Sequence, residues 1–112
     1  MAPLSDIMTV TALLSVAPAT EESMAHDVAD VIAALDDFDV SYETNPMCTV
    51  LEADDAAEIF AAARAAHEAV GADRVETLLK IDDDATTDAP GADKVASVEA
   101  VLGRPAESDE RR

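Results

Sequence analysis

The spacing of the apolar residues changes along this 112-residue chain in a fixed order, and that order limits the possible folds more than any other feature. A period of two indicates a strand, and a period of three to four indicates a helix. The pattern runs strand, helix, strand, strand, helix, strand. The predicted strands cover residues 8–16, 40–45, 48–53 and 74–82. The first predicted helix is capped by Thr20 or Ser23 and ends before residues 36–37. The second is capped by Asp54 or Asp55 and extends to residue 70, with Gly71 as its C-cap.

The order β-α-β-β-α-β is that of the split βαβ, or ferredoxin-like, fold. We therefore predict an α+β domain in which both helices cover one face of a four-stranded antiparallel sheet. Asn45-Pro46 supplies the turn of the central hairpin. The predicted domain covers residues 8–102 and ends in an extra short helix, with an N-terminal extension over 1–7 and a charged tail over 103–112 that we expect to be disordered.

The face of the sheet that the helices leave uncovered is predicted to carry apolar side chains. Alternation along the third strand places Thr49 and Leu51 on this face and Val50 in the helix-covered core. Leu13 and Leu78 extend the apolar stripe onto the neighbouring strands. A contiguous apolar stripe with a polar rim usually marks an interaction surface. We therefore expect the chain to self-associate, sheet against sheet, as a dimer or tetramer.

The charge balance excludes several functions. The chain holds 25 acidic residues and seven basic ones, a net charge of −18, which repels the phosphates of nucleic acids. Because the apolar spacing is regular, a disordered acidic protein is disfavoured, and the acids are predicted to form the solvated surface of a protein from a high-salt cytoplasm. With one cysteine and no apolar run near the roughly 20 residues that cross a bilayer, we predict a cytoplasmic protein without membrane contact.

Three short strings carry a resemblance to a known family. They are L-S-V-A-P at residues 14–18, Y-E-T-N-P-M-C-T at 42–49 and K-I-D-D at 80–83. Through them the chain resembles the small thiamine-binding protein family, the one-domain relatives of YkoF-type binders of thiamine and hydroxymethylpyrimidine. The resemblance implies a ferredoxin-like subunit that forms dimers or tetramers and binds thiamine or its pyrimidine precursor without converting it. The chain departs from the family at four positions. The resemblance implies an acidic residue at Leu13, a glycine at Thr20 and at Cys48, and an arginine at Asp84.

Six residues are predicted to contact a thiamine-like ligand. They are Ser15, Glu43, Asn45, Met47, Thr49 and Lys80. The Asn45 amide offers a donor and an acceptor that match an aminopyrimidine, although turn formation before a proline explains this residue equally well.

The other five candidates also have two explanations each. Ser15, Thr49 and Lys80 are predicted to lie on the uncovered face and to line a pocket there. Glu43 would balance the thiazolium charge, and Met47 would stack on a ring. Polar groups at a wet interface and solvated carboxylates need no ligand, so both explanations stay open. Tyr42, by its period-two spacing, is predicted to be a core residue with its hydroxyl at an edge.

No sequence pattern predicts catalysis or a metal site. His26 and His67 lie on different predicted helices without a second ligand four residues away, and Cys48 has no neighbouring histidine to activate it. We therefore predict a binding protein that is not an enzyme and that uses no cofactor or metal. A ligand-sensing regulatory domain and a purely structural oligomer of the same fold are the alternatives.

Overall fold

The structure, a computed structural model, describes residues 10–19, 23–86 and 91–108. Its elements, in chain order, are β1 (Val10–Pro18), α1 (Ala25–Leu35), β2 (Ser41–Thr44), β3 (Thr49–Ala53), α2 (Ala56–Ala69), β4 (Val75–Asp83) and α3 (Ala92–Leu102). This order confirms the predicted α+β, ferredoxin-like fold with an extra C-terminal helix.

The sheet is antiparallel, with the strand order β2-β3-β1-β4. β1 is a central strand, and alternate residues from Val10 to Pro18 are buried. α1 and α2 pack against each other over these buried residues. The core between helices and sheet is aliphatic, and its largest fully buried side chains include Leu14, Leu35 and Ile59.

We call the opposite side of the sheet the open face. It carries Glu43 of β2, Val50 and Glu52 of β3, Thr11, Leu13 and Ser15 of β1, and Leu78, Lys80 and Asp82 of β4. Leu78 is 61% exposed there. The apolar residues of this face are thus accessible in the single chain, as the sequence predicts for β1 and β4.

The predicted facing of β3 is wrong by one residue. Leu51 is 0% exposed beneath the helices, whereas Val50 lies half-buried on the open face. Cross-strand partners share a face, and β1 pairs Ala12 with Leu51 and Leu13 with Val50. The same correction moves Thr49 from the open face to the buried face. Because Val50 and Leu51 are both apolar, alternation alone left the facing undetermined, and an error of one residue exchanges the two faces.

The ends of α2 and α3 differ in how they are capped. Asp55 caps α2, since its carboxylate accepts a hydrogen bond from the Glu58 backbone N–H at 3.0 Å. The predicted C-cap at Gly71 is wrong, because the chain already leaves the helix at Val70 in an extended conformation (φ −85°, ψ 114°). A left-handed glycine occurs instead at Gly103 (φ 76°), where it ends α3.

α3 approaches the open face through its first turn. The Gly91 N–H donates to the Glu52 carboxylate at 2.5 Å, and Lys94 forms an ion pair with Asp82. A Cβ at position 91 would lie too close to the Glu52 carboxylate, so any other residue there would displace this flexible side chain and weaken the contact. Within the described chain no element packs along the rest of α3, and Val98 remains 53% exposed.

The two ends of the chain are only partly described. The extension over residues 1–7 and the predicted start of β1 at Met8 lie outside the described residues. In the tail, residues 103–108 form no helix or strand, although the Ala106 N–H donates to the Glu99 carboxylate at 2.8 Å. Residues 109–112 lie outside the described part, so disorder of the tail stays a prediction.

Tyr42 is not the core residue that its spacing predicts. It lies on the helix-covered side of the sheet, but β2 is an edge strand and the side chain is 37% exposed. Its hydroxyl donates a 2.6 Å hydrogen bond to Asp36, just after α1. This bond to a carboxylate, with smaller contributions from burial and from the Asp36 charge, raises the pKa of Tyr42 above 10.0.

We expect the Asp36→Asn substitution to lower the pKa of Tyr42, because the hydrogen bond to a negative acceptor favours the neutral phenol. The raised pKa stabilises the fold below the unfolded-state value of about 10, and this contribution is lost as the pH rises through the folded-state value. Tyr42 is the one tyrosine and there is no tryptophan, so phenolate absorbance titrates it directly. Asp37→Asn is the control, and equal pKa values in both variants would contradict the assignment.

Candidate functional site

A cleft lies at the end of the sheet where the β2–β3 turn meets β1 and the start of α1. We call it the hairpin cleft. It encloses about 140 Å³ and is lined by residues of β1, α1 and the turn. Four of the six predicted ligand residues line it, namely Ser15, Asn45, Met47 and Thr49. They come from two separate segments of the chain, and the pairing of β1 with β3 brings them together.

Asn45 forms the turn and still offers part of its side chain to the cleft. Its Oδ1 atom accepts hydrogen bonds from the backbone N–H groups of Met47 (2.8 Å) and Cys48 (3.0 Å). The Asn45 backbone N–H donates to the Cys48 carbonyl at 2.9 Å, which closes the hairpin. The side-chain oxygen is therefore engaged, and the Nδ2 amide group provides the donors that remain for a ligand.

Thr49 presents a buried hydroxyl at the inner end of the cleft. This hydroxyl lies 2.9 Å from the hydroxyl of Thr44, its cross-strand partner. Either oxygen can be the donor, so the pair retains one hydroxyl hydrogen and free acceptor lone pairs. A polar ligand atom at this position can thus be met by either a donor or an acceptor.

The rest of the described lining is apolar and uncharged. Leu14 and Val16 contribute from β1, and Met24, Val28 and Val31 contribute from the start of α1. The described lining contains no acidic residue, lysine, arginine or histidine. Met47 stands at the rim and is 84% exposed. The cleft can therefore hold a neutral ring between apolar walls with a few polar atoms at its ends.

A family comparison adds to this geometry. The sequence profile described as "Thiamine-binding protein" matches residues 12–99 of this chain. The chain belongs to the thiamine-binding protein family. The matched region contains the hairpin turn and all six predicted ligand residues.

Individual relatives agree with this membership. A UPF0045 protein of Methanothermobacter thermautotrophicus is 46% identical over 94 residues, which cover 80% of this chain and 95% of the relative. The crystal structure of a hypothetical protein of Methanocaldococcus jannascii superimposes with a TM-score of 0.73 at 34% identity, covering 80% of this chain and 94% of that one. A Thermotoga maritima protein provisionally described as a thiamine biosynthesis/salvage protein gives a TM-score of 0.66 at 25% identity, with coverage of 80% and 97%.

The two remaining predicted ligand residues lie away from the hairpin cleft. Glu43 lines a larger cleft of about 650 Å³ between the open face and α3, together with the carboxylates of Glu52 and Glu99. Lys80 lines a shallower depression of about 210 Å³ on the open face, beside Leu13. The six predicted residues therefore do not form one site in the single chain.

Sequence reasoning missed two contributions to the hairpin cleft. Thr44 could have been found as the partner of Thr49 across a four-residue turn. No local sequence pattern could have assigned Met24 and Val28 to the cleft, because their position over the end of β1 depends on how α1 packs on the sheet.

Within the described ranges, no three histidine, cysteine or acidic side chains form a group that could hold a metal ion. No helix found there is long and apolar enough to cross a membrane. Cys48 is a half-buried free thiol in the lining of the hairpin cleft.

Proposed function

We propose that this member of the thiamine-binding protein family binds thiamine or its hydroxymethylpyrimidine precursor in the hairpin cleft without converting it, inside the cytoplasm. The observation that carries the proposal is that this cleft gathers Ser15, Asn45, Met47 and Thr49 from two separate segments. The provisional description of the Thermotoga relative as a thiamine biosynthesis/salvage protein points to the same ligand class.

The pyrimidine ring is the part of the ligand that suits the cleft. A volume of about 140 Å³ is smaller than the roughly 300–1,000 Å³ of sites that enclose larger ligands, so one ring fits inside. The Asn45 amide can donate to a ring nitrogen, and the Thr44–Thr49 hydroxyl pair can accept from the exocyclic amine. The charged thiazolium ring of thiamine would remain at the rim beside Met47.

Binding without conversion agrees with the chemistry of the lining. Hydrolysis or group transfer needs a nucleophile, a base and a group that orients the base. The described lining offers the Cys48 thiol and the hydroxyls of Ser15, Thr44 and Thr49 as possible nucleophiles, and no histidine or carboxylate to activate them. The cleft can therefore select and hold a ring, and its described side chains provide no general base.

The binding proposal is tested by calorimetry at molar salt with hydroxymethylpyrimidine and with thiamine. We expect saturable heat and a higher melting temperature with at least one of them. If neither compound at millimolar concentration gives heat or a melting shift, the proposal is wrong. A compound that binds and is recovered unchanged after long incubation excludes conversion.

The Asn45→Asp substitution separates the turn role of this residue from ligand recognition. It keeps the side-chain oxygen that accepts from Met47 and Cys48, and it removes the Nδ2 donors. We expect the fold to be unchanged and the Kd for hydroxymethylpyrimidine to rise about tenfold or more. The reason is that a buried ring nitrogen without its hydrogen-bond donor costs about 1–3 kcal/mol. Asn45→Ala, which also removes the turn acceptor, should lower the melting temperature as well. If the Asn45→Asp variant binds with unchanged affinity, Asn45 serves only to form the turn and does not recognise the ligand.

We also propose that the chain self-associates through the open face and that the partner closes the ligand site from outside. Leu13 and Val50 are half-buried and Leu78 is exposed on this face. The exposed rim of the hairpin cleft at Met47 leaves a bound ligand accessible to solvent in a single subunit. A partner subunit would cover both surfaces.

A further inference from the structure

The two neighbours of β1 cover different lengths of it. β4 pairs with all of β1, whereas β3 pairs with it only as far as Leu14, which lies opposite Thr49. The same register would place Val16 opposite Met47. The Met47 N–H instead donates to the Asn45 side chain at 2.8 Å and belongs to the turn. Beyond Leu14, the β3 side of β1 is therefore a free edge, with no described strand beside it.

One backbone hydrogen bond establishes which residues of β1 point to this free edge. In an antiparallel ladder the N–H and C=O of one residue point to the same neighbouring strand, and those of the next residue point to the other. The Ala19 N–H donates to the Arg74 carbonyl at 3.0 Å, one step beyond the β1–β4 pairing. The odd-numbered residues of β1 therefore bond to β4. The even-numbered ones, including Val16, direct their N–H and C=O to the opposite side.

Two other positions confirm this direction. The Asn45 N–H donates to the Cys48 carbonyl at 2.9 Å, so Cys48 points toward β2 and the next residue, Thr49, points toward β1. Pro18 has no N–H, and it occupies an even-numbered position, where the ladder with β4 needs no donor. Val16 is thus the first residue after the β3 pairing whose backbone groups point to the free edge.

This edge opens into the hairpin cleft, which is lined by Val16 and by Met47. Val16 is only 7% exposed, and buried backbone N–H and C=O groups are nearly always hydrogen-bonded. Among residues 10–19, 23–86 and 91–108, neither group of Val16 has a hydrogen-bond partner. A ligand that presents an acceptor next to a donor would satisfy both groups at once.

We propose that Val16 recognises the ligand of the hairpin cleft through its backbone. The Val16 N–H donates to a ring nitrogen, and the Val16 C=O accepts from the amine on the adjacent ring carbon, in the way that an added strand would bond to a sheet edge. This inference rests on the proposed function and deepens it, because it names the ligand class: heteroaromatic rings that carry an amino group next to a ring nitrogen.

The side chains of the cleft suit the rest of such a ring. An aminopyrimidine has a second ring nitrogen and a second amine hydrogen that the backbone of Val16 leaves unbonded. The Asn45 amide can donate to that nitrogen, and the Thr44–Thr49 hydroxyl pair can accept from that hydrogen. The apolar walls of the cleft would then contact the two faces of the ring.

Amide hydrogen exchange of the full chain, followed by NMR at high salt, tests the free edge and its occupation. Without ligand we expect the Val16 amide to exchange about tenfold faster or more than the amides of Leu14 and Ala17, which are bonded within the sheet. Saturating hydroxymethylpyrimidine should slow the exchange of Val16 about tenfold or more and leave Leu14 and Ala17 nearly unchanged.

A cycle of one variant and one ligand analogue tests the bond itself. The Val16→Pro substitution removes this N–H without removing a bond to β4, and the analogue carries a C–H group in place of the ring nitrogen beside the amine. We expect the analogue to bind the original chain about tenfold more weakly or worse than hydroxymethylpyrimidine. Val16→Pro should bind the two compounds equally to within about threefold, because the bond they differ by is already gone. Calorimetry at molar salt measures each Kd.

Ala17→Pro is the matched control for folding. It removes the neighbouring N–H, which bonds to β4, so it should lower the melting temperature much more than Val16→Pro does.

The possible failures are distinguishable. If hydroxymethylpyrimidine binds but the Val16 amide is as protected as that of Leu14 without ligand, or if Val16→Pro still discriminates tenfold between the two compounds, recognition through Val16 is wrong and the cleft proposal stands. If Val16→Pro fails to fold, the exchange experiment alone decides. If hydroxymethylpyrimidine and thiamine both fail to bind the original chain, the proposed function is wrong and this inference fails with it.

Discussion

The Leu51→Asp substitution should unfold the subunit, whereas Val50→Asp should leave it folded and break up its assembly. Leu51 is 0% exposed between β3 and the helices, so aspartate there loses the leucine packing and buries a carboxylate without a partner. The combined cost is at least about 4 kcal/mol, a large part of the 5–15 kcal/mol that stabilises a typical domain. Val50 points to the open face, where a carboxylate in the single subunit reaches water.

Thermal unfolding by circular dichroism and light scattering at high salt separate the two effects. Leu78→Asp provides a matched control, because it makes the same chemical change to a leucine that is 61% exposed on the open face. We expect this variant to keep its fold. A folded Leu51→Asp protein, or an unfolded Val50→Asp protein, would contradict the facing of β3 described above.

Transfer from molar to millimolar salt should strongly destabilise this protein. The chain has a net charge of −18. The Debye length, beyond which charges are screened from one another, is about 3 Å at 1 M salt and grows to about 30 Å at 0.01 M. At low salt the acids on all surfaces repel one another, and the compact state loses stability. We expect the melting temperature to fall by roughly 10 °C or more, since 1 kcal/mol corresponds to about 4–8 °C for a domain of this size.

Circular dichroism across a salt titration measures this effect. A neutral osmolyte such as sucrose should not replace the salt, because it strengthens burial without screening charge. An unchanged spectrum and melting temperature down to millimolar salt would contradict a surface adapted to high salt.

The order of the elements could be predicted from the sequence, because it depends on periodicity within single segments. Each strand and helix of the ferredoxin-like fold lies within a few residues of its predicted range. The facing of β3 needed information from another strand, since Val50 and Leu51 are equally apolar. A local signal was present one step further along, where the acidic Glu52 stands between Leu51 and Ala53. Such a residue favours the less covered face.

The candidate site, too, could be predicted only where its residues lie close together in the sequence. Asn45, Met47 and Thr49 lie close together in sequence, so a local string was sufficient to group them in the hairpin cleft. Lys80 was grouped with Thr49 because the wrong facing of β3 put both residues on the open face, whereas Glu43 was chosen for its negative charge. The contributions of α1 to the cleft depend on packing between distant segments, which no local pattern encodes.

The central position of β1 affects how the chain folds as it is synthesised. β1 leaves the ribosome before the other strands, but its two hydrogen-bonded neighbours are β3 and β4, and its first described residue, Val10, pairs with Asp83 at the far end of β4. One edge of β1 therefore waits unpaired until β3 has emerged, and the other waits for β4, when nearly the whole domain is out. This delay slows folding and exposes backbone groups to other chains. We expect the high negative charge to keep nascent chains apart during this delay. The acidic residues would thus protect the chain from aggregation before it has folded.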